Sequence, residues 1–224
     1  MRQRINKKIF IYFFVFLTLV TINNIKFLKY KFLKINNYQI HGLSVSEHKQ
    51  LQKNIKELEN NNIFTIDKKK ITEVINSNKL IENFFVFKNY PSSLKIDIER
   101  TNFIAITKKN GINYYLGTNG NLIKANEPRV DLPFLFGNIN IKEFLKIKKI
   151  IDNSDFNFSK IKNLHYFKSK RWNLETKDGI IVKLPVNKLE PSLHLLSKIF
   201  NNNEFKVIKS IDLRQNNQVI INGQ

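Results

Sequence analysis

The chain has 224 residues, 42% of them hydrophobic, enough for an anchor plus one or two small domains, and wholesale disorder is excluded. It has no cysteine, which excludes disulfide staples, thiolate catalysis and cysteine-based zinc sites together. Lys+Arg total 38 against 18 Asp+Glu, a formal charge of +20 that suits nucleic acid or anionic membrane and cell-wall surfaces. The lysines are scattered, however, through a chain crowded with Lys, Asn and Ile and short of Gly (7), Met (1) and Trp (1). An AT-rich coding sequence writes that composition into any protein, so the charge by itself names no partner.

Arg2, Arg4, Lys7 and Lys8 precede an apolar run from Ile9 to Ile22 broken only by Thr18 and Thr21. With Asn23 and Asn24 at the interface, the charge-free stretch reaches Ile25, seventeen residues in all. That is the lower edge of what crosses a hydrocarbon core of about 30 Å. Tyr12 and Tyr30 stand where interfacial aromatics are expected. A cleavable signal peptide needs small residues at its cleavage site, and Thr21-Ile22-Asn23-Asn24-Ile25-Lys26 offers none. A buried core helix would show a polar side, which this run lacks. The expectation is an uncleaved transmembrane helix over 9–25 that contacts the lipid bilayer, with a short tail over 1–8 and the functional mass after it. Lys26, Lys29, Lys31 and Lys34 balance the four charges before the run, so the positive-inside rule does not orient it.

From 34 to 100 the pattern is mixed. Asn37 to His41 predicts a short strand ended by Gly42. Ser44 and Glu47 have capping-box spacing, and Leu51, Ile55 and Leu58 recur as on one helix face. Glu59-Asn60-Asn61-Asn62 predicts a loop. Asp67 is placed to cap a second helix with Ile71, Val74 and Ile75 on one side. Phe84 to Phe87 predicts a strand, stopped by Tyr90-Pro91-Ser92-Ser93. Leu94, Ile96 and Ile98 then alternate with Lys95, Asp97 and Glu99, a half-buried strand. This β-α-α-β-β order, with the phrases "NYQIHGL", "IFTIDKKKI" and "VFKNYPSSLKIDIER", resembles a POTRA domain. The resemblance implies a module that docks partner peptides, often by adding a strand to a sheet edge.

The remainder, 101–224, is dominated by strand signals. Phe103 to Thr107 and Ile112 to Leu116 flank Asn110-Gly111, a strong hairpin turn. Gly117 and Gly120 bracket another turn before Leu122-Ile123, and Leu132-Pro133 with Gly137 marks an irregular segment. Ile141, Phe144 and Leu145 begin a helix that runs to about Asp152. Trp172, Leu174 and Thr176 alternate up to Asp178-Gly179, and Ile181 to Leu184 completes a second hairpin. Pro191 suits the first turn of a helix carrying Leu193, Leu196 and Phe200. Ile211 and Leu213 share one strand face, Asp212 and Arg214 the other, and Val219 to Ile221 predicts a last strand. The expected fold class is α+β: an N-terminal transmembrane helix, a POTRA domain, then a mostly antiparallel β-sheet domain with two flanking helices.

An anchor, a POTRA-like unit and this β-rich unit, with "YYLGTNGNLI", "LPFLFG", "KRWNLETKDGIIVKL" and "IDLRQNNQVIING" in order, resemble the bacterial cell-division family FtsQ/DivIB. The resemblance implies an inner-membrane protein with its N-terminus in the cytoplasm and its folded part in the periplasm, at the division septum. It implies binding of FtsB and FtsL and links to other division proteins, with FtsB added as a strand to the edge of the C-terminal sheet. The contact positions it implies are Glu99, Lys170, Arg214, Gln215 and Asn217, with Lys170 and Arg214 offering basic groups to acidic residues of the partner. From the residues alone, Arg214 equally suits an internal pair with Asp212, and Glu99 a pair with Arg100 or Lys95.

Catalytic chemistry finds little support. His41, His48, His165 and His194 show no metal-ligand spacing and no legible carboxylate pairing, and neither G-x-S-x-G, H-E-x-x-H nor a Walker-type phosphate loop is present. No enzyme activity, cofactor or metal is expected, and no nucleic acid as partner. The competing readings are a POTRA protein of another envelope-assembly or secretion system, a membrane-anchored cell-wall enzyme, and a nucleic-acid binder recruited by charge.

Overall fold

In a computed structural model of the chain, which describes residues 7–22, 33–59, 61–125, 131–201, 208–215 and 218–223, the N-terminal apolar run forms α1 (Lys7–Ile22). Its large apolar side chains from Ile9 to Val20 lie open, from 46% exposed at Leu17 to 71% at Tyr12. No described helix is long and apolar enough to cross a membrane. α1 has 16 described residues where about 20 are usual, and the last three of the expected span, Asn23, Asn24 and Ile25, lie outside the described residues. The tail over 1–8 is described only at Lys7 and Lys8, which open α1.

The chain divides into two units, Met1–Arg100 and Thr101–Gln224. In the first, β1 (Asn37–His41), α2 (Val45–Ile55), α3 (Lys68–Asn76), β2 (Ile81–Asn89) and β3 (Ser93–Arg100) follow in the expected order. The capping signals act as read. The Glu47 carboxylate accepts from the Ser44 amide at 3.0 Å, and Asp67 accepts from the Lys69 amide at 3.0 Å. Leu58, expected on α2, falls instead on a short 3-10 turn (Lys56–Leu58) that continues it, and its side chain is still fully buried. β3 is the centre of a three-stranded sheet, parallel to β1 and antiparallel to β2. Its Leu94, Ile96 and Ile98 point inward onto Leu51, Ile55, Ile71 and Ile75 of the two helices, each burial stabilising the unit by about 1.5–3 kcal/mol. Gly42 sits where β1 ends, at φ +97°, and a Cβ there would stand 1.8 Å from the Ile98 carbonyl oxygen.

The second unit is one nine-stranded sheet in the order β12-β11-β10-β9-β8-β7-β4-β5-β6. Its strands are β4 (Phe103–Lys109), β5 (Ile112–Gly117), β6 (Leu122–Lys124), β7 (Phe134–Phe136), β8 (Ile161–Tyr166), β9 (Trp172–Thr176), β10 (Ile181–Lys183), β11 (Ile208–Asp212) and β12 (Ile220–Gly223). Hairpins make most of the pairings antiparallel, and β4–β5 turns through Asn110 at φ 51° and Gly111 at φ 80°, both positive as a tight two-residue hairpin demands. Parallel pairing needs a crossover, and the two helices supply two. α4 (Ile141–Asp152) joins β7 to its parallel neighbour β8, and α5 (Leu189–Asn201) joins β10 to its parallel neighbour β11. Phe144, Ile147 and Ile151 of α4 and Leu193, Leu196 and Ile199 of α5 pack with Leu164, Leu174, Val182 and Ile211 of the sheet.

Two strands correct the sequence reading. The segment Leu132 to Gly137, expected to be irregular, contains β7, which lies between β4 and β8 and runs parallel to both. Three residues are too few to show a period, and only Leu135 is buried while Phe134 and Phe136 face the other way. β8 had no counterpart in the sequence reading, because its apolar positions Ile161 and Leu164 are three apart, a spacing that mimics a helix; the register shift between Ile161 and Asn163 accounts for it.

Candidate partner-binding edge

β12 is the edge of the large sheet, paired with β11 through Asp212↔Ile220, Ile211↔Ile221 and Ser210↔Asn222. Among the described residues no strand pairs with its outer side. Its outer backbone amides and carbonyls are thus left unpaired by any described strand. Its side chains alternate: Ile221 packs toward the core, and Ile220 is 43% exposed. The opposite edge, β6, has three residues.

Asp212 and Arg214 shape the end of β11. The Arg214 Nε donates to both Asp212 carboxylate oxygens at 2.8 and 3.0 Å, its Nη2 also reaches Oδ2, and its amide donates to Oδ1 at 3.1 Å. The arginine thus forks onto a carboxylate two residues back, the internal pairing that the sequence left open. These bonds hold the Asp212 carboxyl below the usual carboxylate range, the Arg214 side chain first, then its amide, with the charge of Lys183 assisting and partial burial opposing. The same bonds raise the Arg214 guanidinium above its ordinary value. Lys183 is Asp212's register partner on β10.

Gln215 follows in the β11–β12 turn and is exposed. It borders a recess of about 160 Å³ with Pro185, Leu195 and Leu213 as apolar lining and Lys188 and Gln218 as polar lining. Asn217 lies outside the described residues. Lys170 is exposed at φ 60° in the β8–β9 turn, which is closed by the Phe167 amide donating to the Arg171 carbonyl at 3.0 Å and the Lys170 amide donating to the Phe167 carbonyl at 2.9 Å. That turn lies at the sheet end where β11 also finishes, since Tyr166↔Trp172 closes one hairpin while the Leu184 amide bonds Trp172 and the Leu213 amide bonds Lys183. Strand β10 lies between them, a separation of about 10 Å. Lys170, Arg214 and Gln215 thus share one end of one sheet.

Glu99 belongs to the first unit. Its carboxylate accepts from Asn83 Nδ2 at 3.0 Å, across the Asn83↔Glu99 pair of β2 and β3. The pairings suggested by sequence are not formed: Arg100 reaches Glu47 at 2.8 Å and Lys95 reaches Asp97 at 2.9 Å. Among the described residues β2, nine residues long, is also an edge, of the first unit's sheet. Beside it lies a groove of about 500 Å³ lined by Ile66, Ile71, Phe84 and Val86.

The histidines need one correction. Folding brings the His194 Nδ1 within 2.9 Å of Asp155, 39 residues away, and His165 within 4.0 Å of Glu175 and onto the Phe136 ring. His41 is exposed at the end of β1, and the side chain of His48 lies outside the described residues. Among the described residues no group of three His, Asp or Glu side chains could hold a metal ion. Sequence reasoning missed Gln218, between β11 and β12, and Lys188, directly before α5; no periodicity points at either.

A β-α-α-β-β unit followed by a sheet whose last strand is an edge among the described residues is the arrangement of a POTRA-led, two-unit protein. Comparison with known proteins agrees: residues 33–100 match the family described as POTRA domain, FtsQ-type, and residues 105–214 the family described as cell division protein FtsQ/DivIB, C-terminal. The chain belongs to the FtsQ/DivIB family of cell-division proteins. It is 25% identical over 195 residues to the cell division protein FtsQ of Rickettsia bellii (strain RML369-C), covering 84% of this chain and 72% of that one. A solved structure of the major extracytoplasmic domain of the trans isomer of DivIB from Geobacillus stearothermophilus matches at a TM-score of 0.33 and 16% identity. It covers 42% of this chain and 87% of that one, a likeness too slight to build on.

Proposed function

We propose that this chain is a membrane-anchored, non-enzymatic scaffold of the division site that captures an FtsB–FtsL pair on the outer edge of β12 and links early to late division proteins. The observation that carries the reading is the β12 edge, left without a strand partner among the described residues and belonging to a chain of division-protein family. Backbone amides and carbonyls supply affinity to a strand of FtsB, and the alternation of Ile221 inward and Ile220 outward sets which of its side chains face the recess side.

Specificity comes from the groups at the β11 end. Arg214 spends Nε and Nη2 on Asp212, so Nη1 is left to donate to an acidic side chain of the partner, with Lys170 adding charge from the neighbouring turn. Gln215 and Asn217 extend the contact along the turn, and Glu99 contributes from the POTRA unit. Residues 9–25 cross the inner membrane, leaving 1–8 in the cytoplasm and both units in the periplasm. The alternative of a POTRA protein from another envelope system loses its ground to the match over 105–214.

Binding of the full-length chain in detergent to FtsB and FtsL ectodomains tests the reading. Capture at micromolar concentration or tighter is expected, and it should weaken when β12 is disrupted. A folded chain that captures neither would overturn it.

A further inference from the structure

The end of the POTRA unit at which the chain arrives from α1 carries an exposed aromatic pair inside a group of lysines. Leu33 to Asn36 are fastened there: the Ile63 amide bonds Leu33 at 2.9 Å, the Ile35 amide bonds Asn61 at 2.9 Å, and the Asn36 amide bonds Ser92 at 3.1 Å. Directly beside these contacts, Phe64 and Tyr90 stack at 4.6 Å between ring centroids and are 52% and 59% exposed. Neither ring belongs to the core of the unit. Lys34 stands on the arriving segment and Lys88 two residues before Tyr90. The exposed run Lys68 to Lys70 opens α3, and the Lys70 ammonium reaches Asn61 Oδ1 at 3.2 Å, at this same end.

We propose that this end of the POTRA unit docks on the anionic headgroup layer of the membrane, Phe64 and Tyr90 entering the interface and the surrounding lysines holding lipid phosphates. The inference rests on the membrane-anchored reading given above. That reading also selects the occupant. From Ile25, where the expected span ends, Leu33 is eight residues on, a reach of at most about 28 Å, so this end cannot leave the neighbourhood of the bilayer. Tyr90, with its polar tip, favours the headgroup level, Phe64 adds apolar area to bury there, and each lysine near an anionic surface strengthens the attraction about fivefold, within a Debye length of about 8 Å. The lysine surplus, uninformative as a whole-chain charge, thus has a local use.

The absence of cysteine makes the test direct. Single cysteines at Thr65→Cys, beside the aromatic pair, and Asn76→Cys, at the far end of α3, carry a fluorophore in the full-length chain. The protein is placed in vesicles of phosphatidylcholine with about a third phosphatidylglycerol, plus a headgroup-located quenching lipid. Flotation with the vesicles reads the anchor, and quenching reads the docked end. Quenching at position 65 should exceed that at 76 by about threefold, and the excess should fall by half or more in pure phosphatidylcholine or at about 1 M salt. Lys68→Gln with Lys69→Gln should reduce it too, and Tyr90→Ser should reduce it further, with hydrogen exchange of residues 33–100 unchanged in the glutamine variants. Equal quenching at the two positions in floating protein overturns the docking alone, as does an excess indifferent to lipid charge and salt. An excess seen only when FtsB and FtsL are added assigns the patch to a protein and overturns it likewise. Failure to float overturns the anchored reading and the docking with it.

Discussion

Gly42→Ala should damage the POTRA unit far more than the chemically identical change at Gly111. Both glycines have positive φ, +97° and +80°, so an alanine at either adopts a conformation that costs an L-residue about 1–2 kcal/mol. The surroundings differ. At Gly111 an added Cβ meets nothing within 4 Å, whereas at Gly42 it stands 1.8 Å from the Ile98 carbonyl oxygen. Ile98 is on β3, the central strand of the sheet, in register with Phe84 of β2 and one residue past the last β1 pair at Asp97, so relief requires shifting backbone that the β2 pairing holds. Overpacking of this kind costs a further 1–3 kcal/mol or so, for a sum of about 2–5 kcal/mol. The stability of residues 33–100, at roughly 0.05–0.15 kcal/mol per residue, is only about 3–10 kcal/mol. Hydrogen exchange with mass spectrometry on the full-length chain reads each unit separately. Gly42→Ala should speed exchange across β1 and β3 by about 100-fold and leave residues 101–224 as they were. Gly111→Ala should speed exchange in its own hairpin by about 5- to 30-fold, the factor that 1–2 kcal/mol gives. Equal losses at the two sites would refute the steric reasoning.

The edge itself can be probed with proline. Successive amides of a strand point to opposite sides, so of Ile220→Pro and Ile221→Pro one removes a bond to β11 and the other an outward amide. One variant should lose stability; the other should keep the fold and bind FtsB about two- to tenfold more weakly, as fits one lost hydrogen bond. Phe144→Ala removes a fully buried ring whose centroid lies 6.2 Å from that of Trp172, a loss of about 3–5 kcal/mol. Because Trp172 is the only tryptophan, its fluorescence should report the second unit loosening at lower denaturant. The Asp212 carboxyl titrates below its ordinary value, so its pairing with Arg214 contributes stability above the unfolded pKa of about 3.9 and loses it as pH falls through the lower, folded pKa. Hydrogen exchange in the β11–β12 turn should accelerate only under that acid condition in the native chain. In Asp212→Asn it should be fast throughout; a native-like pH profile in the variant would sever the turn from this ion pair.

Much of the first unit was legible because its signals are local. Capping at Ser44/Glu47 and Asp67, and the strict alternation of Leu94, Ile96 and Ile98, act between residues close in the chain. In the second unit the hairpins at Asn110-Gly111 and Asp178-Gly179 were legible for the same reason, since turn chemistry sits within four residues. β7 and β8 were not. They are parallel neighbours joined through α4, and a three-residue strand between two others owes its existence to its neighbours, not to its own sequence. The candidate site divides the same way. Arg214's link to Asp212 spans two residues and was foreseeable, while Glu99's bond to Asn83 and the recess beside Gln215 depend on strand register and on α5 packing nearby. His194 meeting Asp155 is the same lesson across 39 residues.

Cysteine pairing across β12 asks most directly whether that strand receives another chain. With Asn222→Cys on β12 and Ile123→Cys on β6 in the otherwise thiol-free protein, single cysteines are stepped along the FtsB segment and mixed under mild oxidation. Disulfides form only where Cα atoms approach within about 7 Å. The account predicts cross-links from position 222, strongest at every second FtsB residue over a short stretch, and none from position 123. Cross-links from position 123 alone, or from neither position while the complex still forms, would contradict it.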